Sequence, residues 1–151
     1  MTGKERNKLI LLVEDSPDHA FLIKRAILAA FQELEFQWAK DGEEAVNLIV
    51  HDGLRPDLIL LDIKMPRMNG FEVLEILKNN DETKYIPIVI LSTSANKKDV
   101  ALAYSLGTNC YIAKPVEIVE FQTKLRSIPL YWLRTNTIPQ IAVKETHLLQ
   151  R

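Results

Sequence analysis

Acidic residues follow two aliphatic runs of the chain, at positions where they could act together. The run at residues 9–13 ends at Glu14 and Asp15, and the run at residues 58–61 ends at Asp62. Unbroken aliphatic runs of this length are typical of strands buried on both faces of a parallel sheet. Ligands of such sheets bind at the carboxyl ends of the strands. The three acids are therefore expected to form one cluster, which needs a cation because like charges resist joint ionisation.

Composition narrows the class of protein. The chain has 151 residues, of which 47% are hydrophobic and 26% charged, as expected for one soluble domain with a sizeable core. Its net charge of −1 gives no support for binding to nucleic acid or an anionic membrane. No apolar run could span a bilayer or serve as a signal peptide. Cys110 is the only cysteine, so we expect no intrachain disulfide and a cytoplasmic location.

Five strand-like segments alternate with five helix-like segments. Strands are predicted at residues 8–13, 36–39, 57–61, 86–91 and 110–113, and helices at residues 17–31, 43–51, 71–78, 96–106 and 116–127. This alternation predicts βαβ units and a flavodoxin-like, doubly wound α/β fold with a parallel five-stranded sheet of order 2-1-3-4-5. In that order the first and third strands are neighbours, which places Glu14 and Asp15 beside Asp62.

The first helix has clear start signals and an apolar face. Ser16 is a favourable N-cap, and Pro17 is a favourable first helical residue. The face expected to be buried consists of five apolar residues: Phe21, Leu22, Ala26, Leu28 and Ala29.

Two further polar groups are expected at the same edge of the sheet. Ser92 and Thr93 end the fourth strand, and Lys114 follows the fifth. Acidic all-oxygen sites suit Mg²⁺, and a carboxylate can attack phosphorus to give an aspartyl phosphate. The transferred phosphoryl group needs a metal ion, an ammonium and a hydroxyl donor on its oxygens. The residues therefore predict a phosphoryl-transfer site with Asp62 as acceptor, and with Lys114 and Ser92, or Thr93 in reserve, as donors.

This set resembles the CheY-like receiver domains of two-component response regulators. The resemblance covers about residues 8–127 and rests on motifs in family order: Glu14-Asp15, Asp62, Met65-Pro66, Gly70, the hydroxyl residues and Lys114-Pro115. It implies a receiver domain at residues 1–127 whose Asp62 is phosphorylated by a sensor histidine kinase. Such a protein is no enzyme beyond catalysing its own phosphorylation and dephosphorylation.

The resemblance also implies roles for single residues. It implies that Mg²⁺, with Mn²⁺ as an alternative, is held by Glu14, Asp15, Asp62 and the backbone carbonyl of Lys64. Ser92 would move toward the phosphoryl group, and Tyr111 and Thr93 would act as switch residues. Plain strand packing is the alternative for Tyr111. Lys114-Pro115 matches the cis-proline position of the family.

The chain continues past the fifth predicted helix with an apolar segment. We assign residues 128–151 to a C-terminal extension with a short helix and a tail, in which Pro129 is expected to break or restart the helix. Tyr131 and Trp132 either fold back on their own domain or, with Leu133, form an exposed interface. The extension is too short for a DNA-binding domain, so a stand-alone receiver with output by protein–protein interaction is predicted.

The extension and residues 103–109 are similar to the small response regulators that pair with bacterial and cyanobacterial phytochrome kinases. This similarity implies a homodimer formed through the fourth helix, fifth strand, fifth helix and tail.

Two other classes of α/β protein fit this sequence less well. A haloacid-dehalogenase-type phosphatase requires a second acid two residues after the first, where this chain has Lys64. A nucleotide-binding domain requires a glycine-rich loop after the first strand, where this chain has acids. The acids could also be helix caps or loop ion pairs in a non-phosphorylated interaction scaffold, which remains the alternative function. His19 lies near the acids in sequence, but we expect it to be a surface residue.

Overall fold

The computed structural model describes residues 6–137, in which five strands alternate with five helices. The strands are β1 (Leu9–Val13), β2 (Glu35–Ala39), β3 (Leu58–Leu61), β4 (Ile88–Ser92) and β5 (Cys110–Ala113). The helices are α1 (Pro17–Ala30), α2 (Gly42–Val46), α3 (Gly70–Lys78), α4 (Lys97–Ser105) and α5 (Ile118–Pro129). Two π-helical turns, Asn47–His51 and Leu130–Thr135, continue α2 and α5. Among these residues no helix is both long and apolar enough to cross a membrane.

The strands form one parallel sheet in the order β2-β1-β3-β4-β5, so the predicted fold and strand order are confirmed. Every residue of the central strand β3 is fully buried. The aliphatic side chains of β1, β3 and β4 alternate between two cores: α2, α3 and α4 cover one face of the sheet, and α1 and α5 cover the other. Burial on both faces explains why these strands are unbroken aliphatic runs.

The face of α1 that packs on the sheet differs from the prediction. Ala20, Ile23 and Ile27 are buried, whereas Phe21 and Leu22 are 62% and 47% exposed. Apolar residues lie on more than one side of this helix, so helical spacing fits two faces equally well. The sheet and α5 select the face whose small and branched side chains allow close packing. The expectation that Phe21, Leu22 and Ala29 are buried was therefore wrong, whereas Ala26 and Leu28 are partly buried against this core.

The segment after Ser127 also differs from the prediction, because α5 continues through Pro129. After Pro129 the hydrogen bonds change to the wider π-helical spacing, as in the bond from the Asn136 N–H to the Tyr131 carbonyl. Proline has no N–H to donate, and it stands at the junction between the two types of helix. Trp132 and Leu133 pack, partly buried, against the core beneath α1 and α5, while Tyr131 stays 51% exposed. Residues 138–151 of the predicted extension, and residues 1–5, lie outside the described part of the chain.

Candidate functional site

Three carboxylates meet at the carboxyl ends of β1 and β3. Each of Glu14, Asp15 and Asp62 offers an oxygen atom, and these atoms all lie within 4.8 Å of one another. Strand pairing causes this convergence, because Val13 is in register with Leu61 and the Asp62 N–H donates to the Val13 carbonyl at 3.0 Å. Glu14 and Asp62 are buried, whereas Asp15 is exposed.

Glu14 is held by contacts on all of its polar groups. Its carboxylate accepts from Lys114 Nζ at 2.7 Å and from the Ser16 N–H at 3.1 Å. Its own N–H donates to the Ala39 carbonyl at 3.1 Å, and its carbonyl accepts from Trp38 Nε1 at 2.7 Å. The side chains of Glu14 and Lys114 are only 2% and 6% exposed, so they form a buried ion pair.

Burial changes the acidity of Asp62. One carboxylate oxygen accepts from the Ile63 N–H at 2.9 Å. Loss of solvent raises the pKa of Asp62 to about 6, against the lowering effect of Lys114 and with a further raising effect of the Glu14 and Asp15 charges. Asp62 is thus mainly ionised at neutral pH, yet its charge is unfavourable in the metal-free fold.

This pKa predicts that Asp62→Asn will stabilise the metal-free protein. A pKa raised above its ordinary 3.8 means that the folded state favours the protonated acid. The stability that the protonated Asp62 contributes to the folded state is fully present below pH 3.8. It is lost as the pH rises through about 6 and the carboxyl ionises. The variant should therefore be more stable at pH 7.5 in EDTA by about 2 kcal/mol, after allowance for solvent near the carboxyl, which corresponds to about 5 °C in Tm. Thermal unfolding of both proteins between pH 3.5 and 7.5 checks this, and a gain that does not change with pH would contradict it.

The expected donors lie at the ends of β4 and β5. The Lys114 N–H donates to the Ser92 carbonyl at 2.7 Å, which extends the strand pairing to the lysine. Ser92 is fully buried and its hydroxyl oxygen accepts from the Ser94 N–H at 3.1 Å, while Thr93 is exposed. The structure therefore places the two candidate residues differently: Ser92 lies inside the fold, and Thr93 lies at the surface.

The peptide bond between Lys114 and Pro115 is trans, so the expectation of a cis-proline was wrong; all peptide bonds in residues 6–137 are trans. The trans form is the favoured isomer of an X–Pro bond. Lys114 Nζ already reaches Glu14 in this form.

Tyr111 is anchored to the loop after β4. Its ring is half-buried against the core beneath α3 and α4, and its hydroxyl donates to the Ser94 carbonyl at 2.8 Å. The Ser94 hydroxyl in turn donates to Asp99 at 2.7 Å. The ring is therefore tied to the β4–α4 loop, and any rotation of the side chain must break this bond.

The loop between β3 and α3 packs tightly under Asp62. The Gly70 N–H donates to the Ile63 carbonyl at 2.9 Å, and a Cβ atom at Gly70 would lie 2.3 Å from the Asp62 carbonyl oxygen. In the same loop Arg67 has a positive φ of 65° and pairs with Asp41 at 2.6 Å. Lys64 has an exposed side chain, two residues after Asp62.

Two further residues lie next to the acids: Trp38 was not identified from the sequence, and His19 was expected to be a surface residue and is exposed. Trp38 contacts the Glu14 carbonyl from β2, and His19 Nδ1 lies 3.4 Å from Lys114 Nζ and 3.8 Å from a carboxylate oxygen of Glu14. The predicted strand order contained a signal for Trp38, because it places the end of β2 beside the end of β1. His19 lies three residues after the N-cap Ser16, to which its N–H donates.

The chemistry of the donor set fits a divalent cation. Three carboxylates share one edge of the sheet, and Lys114 pairs with one of them, Glu14. Hard cations such as Mg²⁺ and Mn²⁺ prefer oxygen ligands of this kind.

The fold and site define a class of protein. The sequence profile of the response regulator receiver domain matches residues 10–126, and the chain belongs to this family. It is thus a receiver domain of two-component signalling.

Two relatives are similar to this chain over most of its length. The chain is 36% identical over 137 residues to the response regulator Rcp1 of Synechocystis sp.. The aligned region covers 87% of this chain and 93% of Rcp1. It is 37% identical over 139 residues to the probable methanogenesis regulatory protein FilR2 of Methanothrix harundinacea, covering 87% of each chain.

Solved structures of response regulators share the fold of this chain. The phosphorylated cyanobacterial phytochrome response regulator RcpA matches with a TM-score of 0.84 and 37% identity, over 89% of this chain and 99% of RcpA. The Mn²⁺-bound form of Rcp1 matches with a TM-score of 0.77 and 35% identity, over 87% of this chain and 99% of that one.

Proposed function

We propose that this chain accepts a phosphoryl group on Asp62 from a phosphohistidine of a sensor histidine kinase, in a reaction that depends on Mg²⁺. The observation that carries the proposal is the convergence of Glu14, Asp15 and Asp62 with Lys114 at one edge of the sheet. Mg²⁺ held by the three acids and the Lys64 carbonyl would supply positive charge to the transferred group. The protein would catalyse only its own phosphorylation and dephosphorylation. Its role would be that of a signalling module in the cytoplasm.

The residues of the site have separate tasks in this reaction. An ionised oxygen of Asp62 attacks phosphorus while the bond between phosphorus and the histidine nitrogen breaks, and the leaving imidazole takes up a proton. Lys114 exchanges Glu14 for a phosphoryl oxygen, and the Ser92 hydroxyl donates to another. The pKa of about 6 keeps Asp62 mainly ionised at neutral pH, as a nucleophile must be.

Exposed apolar side chains on α1 and α5 support a protein as the phosphoryl donor. Phe21 and Leu22 on α1, and Ile118 and Val119 on α5, are each about half exposed or more. They lie toward the N-terminal ends of helices that begin at the same edge of the sheet as Asp62. The relative RcpA, a cyanobacterial phytochrome response regulator, suggests a phytochrome as the kinase.

We propose that phosphorylation changes the conformation of the face formed by α4, β5 and α5, and that this face passes the signal on by binding to proteins. Phosphorylation would draw Ser92 toward the phosphoryl group, shift Thr93 and release Tyr111 from the Ser94 carbonyl. A homodimer through this face is supported by the exposed side chains of Leu102, Tyr104 and Tyr131. Trp132 and Leu133 would contribute by holding Tyr131 in place, since they pack on their own core.

Intact-mass measurement after incubation with acetyl phosphate and Mg²⁺ tests this function. We expect the wild-type protein to gain one phosphoryl group, and we expect no gain with EDTA or with Asp62→Asn. A matched control is Asp57→Asn, which removes a carboxylate at the opposite end of β3, where Asp57 pairs with Arg6; this variant should be phosphorylated normally. A wild-type protein that gains no phosphate from acetyl phosphate or from histidine kinases would instead support the scaffold function.

A further inference from the structure

We propose that Trp38 is a positioning residue for the cation of this site. Its indole N–H, bonded to the Glu14 carbonyl, fixes the peptide unit that joins Glu14 to Asp15 and thereby directs the Asp15 carboxylate toward the other acids. This inference rests on the proposed function, because it assigns the acids to a bound cation.

The contact is short and lies on the edge of the sheet. The distance from Trp38 Nε1 to the Glu14 carbonyl oxygen is 2.7 Å, at the short end of the range for N–H···O bonds. Trp38 is on the edge strand β2, in register with Leu12, and remains 41% exposed. Since so much of the ring is in solvent, the hydrogen bond is the specific contribution of this tryptophan rather than burial in a core.

Glu14 and Asp15 depend on this contact to different degrees. The Glu14 carboxylate is already fixed by Lys114 and by the Ser16 N–H. The Asp15 side chain is exposed and, within residues 6–137, makes no hydrogen bond or ion pair. The direction of the Asp15 side chain therefore depends on its backbone. Among the described hydrogen bonds, Trp38 alone holds the Glu14 carbonyl, which belongs to the peptide unit before Asp15.

Loss of the indole N–H should weaken cation binding and leave the chemistry unchanged. A peptide unit free to rotate spreads Asp15 over several directions, and ordering it again reduces the affinity for the cation. The loss of one net hydrogen bond corresponds to about a fivefold weaker affinity. The nucleophile and donors are untouched, so the rate at saturating Mg²⁺ should not change.

The test compares Trp38→Phe with Trp132→Phe, which removes the other tryptophan of the chain, far from the acids in sequence. Mn²⁺ binding is measured directly from the electron paramagnetic resonance signal of the free ion, and phosphorylation by acetyl phosphate is followed against Mg²⁺ concentration. A further variant replaces Trp38 by benzothienylalanine in the Trp132→Phe background, which keeps the shape of the bicyclic ring and has a sulfur atom in place of the N–H donor. It tests the inference even if phenylalanine disturbs folding.

We expect the dissociation constant for Mn²⁺ to rise about fivefold in both Trp38 variants and to stay unchanged in Trp132→Phe. The half-saturating Mg²⁺ concentration should rise by the same factor at an unchanged maximal rate. Equal Mn²⁺ affinity in the wild-type and benzothienylalanine proteins would overturn the inference while leaving the proposed function intact. A wild-type protein that binds no Mn²⁺ would overturn the proposed cation site, and this inference with it.

Discussion

Replacing Lys114 with methionine is expected to destabilise the metal-free protein by about 3 kcal/mol and to abolish detectable phosphorylation. The substitution keeps an unbranched side chain that is one atom shorter than lysine, and it removes the charge. Glu14 is then left as a buried carboxylate next to Asp62 with no cation to balance it. Urea unfolding in EDTA, together with the intact-mass assay, measures both effects.

A double substitution separates the charge effect from packing. Glu14→Gln combined with Lys114→Met removes both charges of the buried pair, and we expect it to recover at least half of the lost stability. Added Mg²⁺ should stabilise Lys114→Met more than the wild type, because the metal meets no competing ammonium at the acids. If the single and double variants are equally unstable, packing around Lys114 rather than its charge supports the fold.

Gly70→Ala is the second substitution with a large expected effect. The added Cβ would lie 2.3 Å from the Asp62 carbonyl oxygen and 2.8 Å from Ile63 Cα, so the backbone that carries the acceptor must move. We expect a loss of about 3 kcal/mol in stability. We also expect phosphorylation to slow by about 100-fold, because a displacement near 1 Å is enough to misalign a reacting group.

Gly53→Ala is the matched control. Gly53 has a positive φ of 77° but open space where its Cβ would stand. Its substitution should cost about 1 kcal/mol through backbone conformation alone and leave the phosphorylation rate unchanged. Normal phosphorylation of Gly70→Ala would show that the loop tolerates the shift without moving Asp62.

The sheet and the acidic cluster were predictable because each depends on a signal that is local in sequence. A strand buried on both faces must be continuously aliphatic, and the first polar residue after it marks the end of the strand. Glu14 and Asp62 were found in this way, and the alternation of strands and helices then made their strands neighbours. Elements were predicted within a few residues of their bounds, but the π-helical turn that continues α5 to Thr135 was not.

The remaining features depend on tertiary contacts that leave no local signal. The choice between Phe21 and Ile23 as the buried side of α1 is made by the sheet and α5. The pairing of Lys114 with Glu14 depends on side-chain reach across the edge of the sheet. The π-helical continuation past Pro129 requires a core against which Trp132 can pack, and without that core a proline predicts a break.

The ion pair between Glu14 and Lys114 joins residues 100 positions apart, and this has a consequence for the time at which the protein becomes competent. During synthesis the acids of β1 and β3 emerge long before Lys114, which can reach Glu14 only after β5 has joined β4. A nascent or truncated chain that lacks β5 therefore has the acceptor without its lysine. Under the proposed function, only a chain whose sheet is complete would hold all the groups that phosphorylation requires.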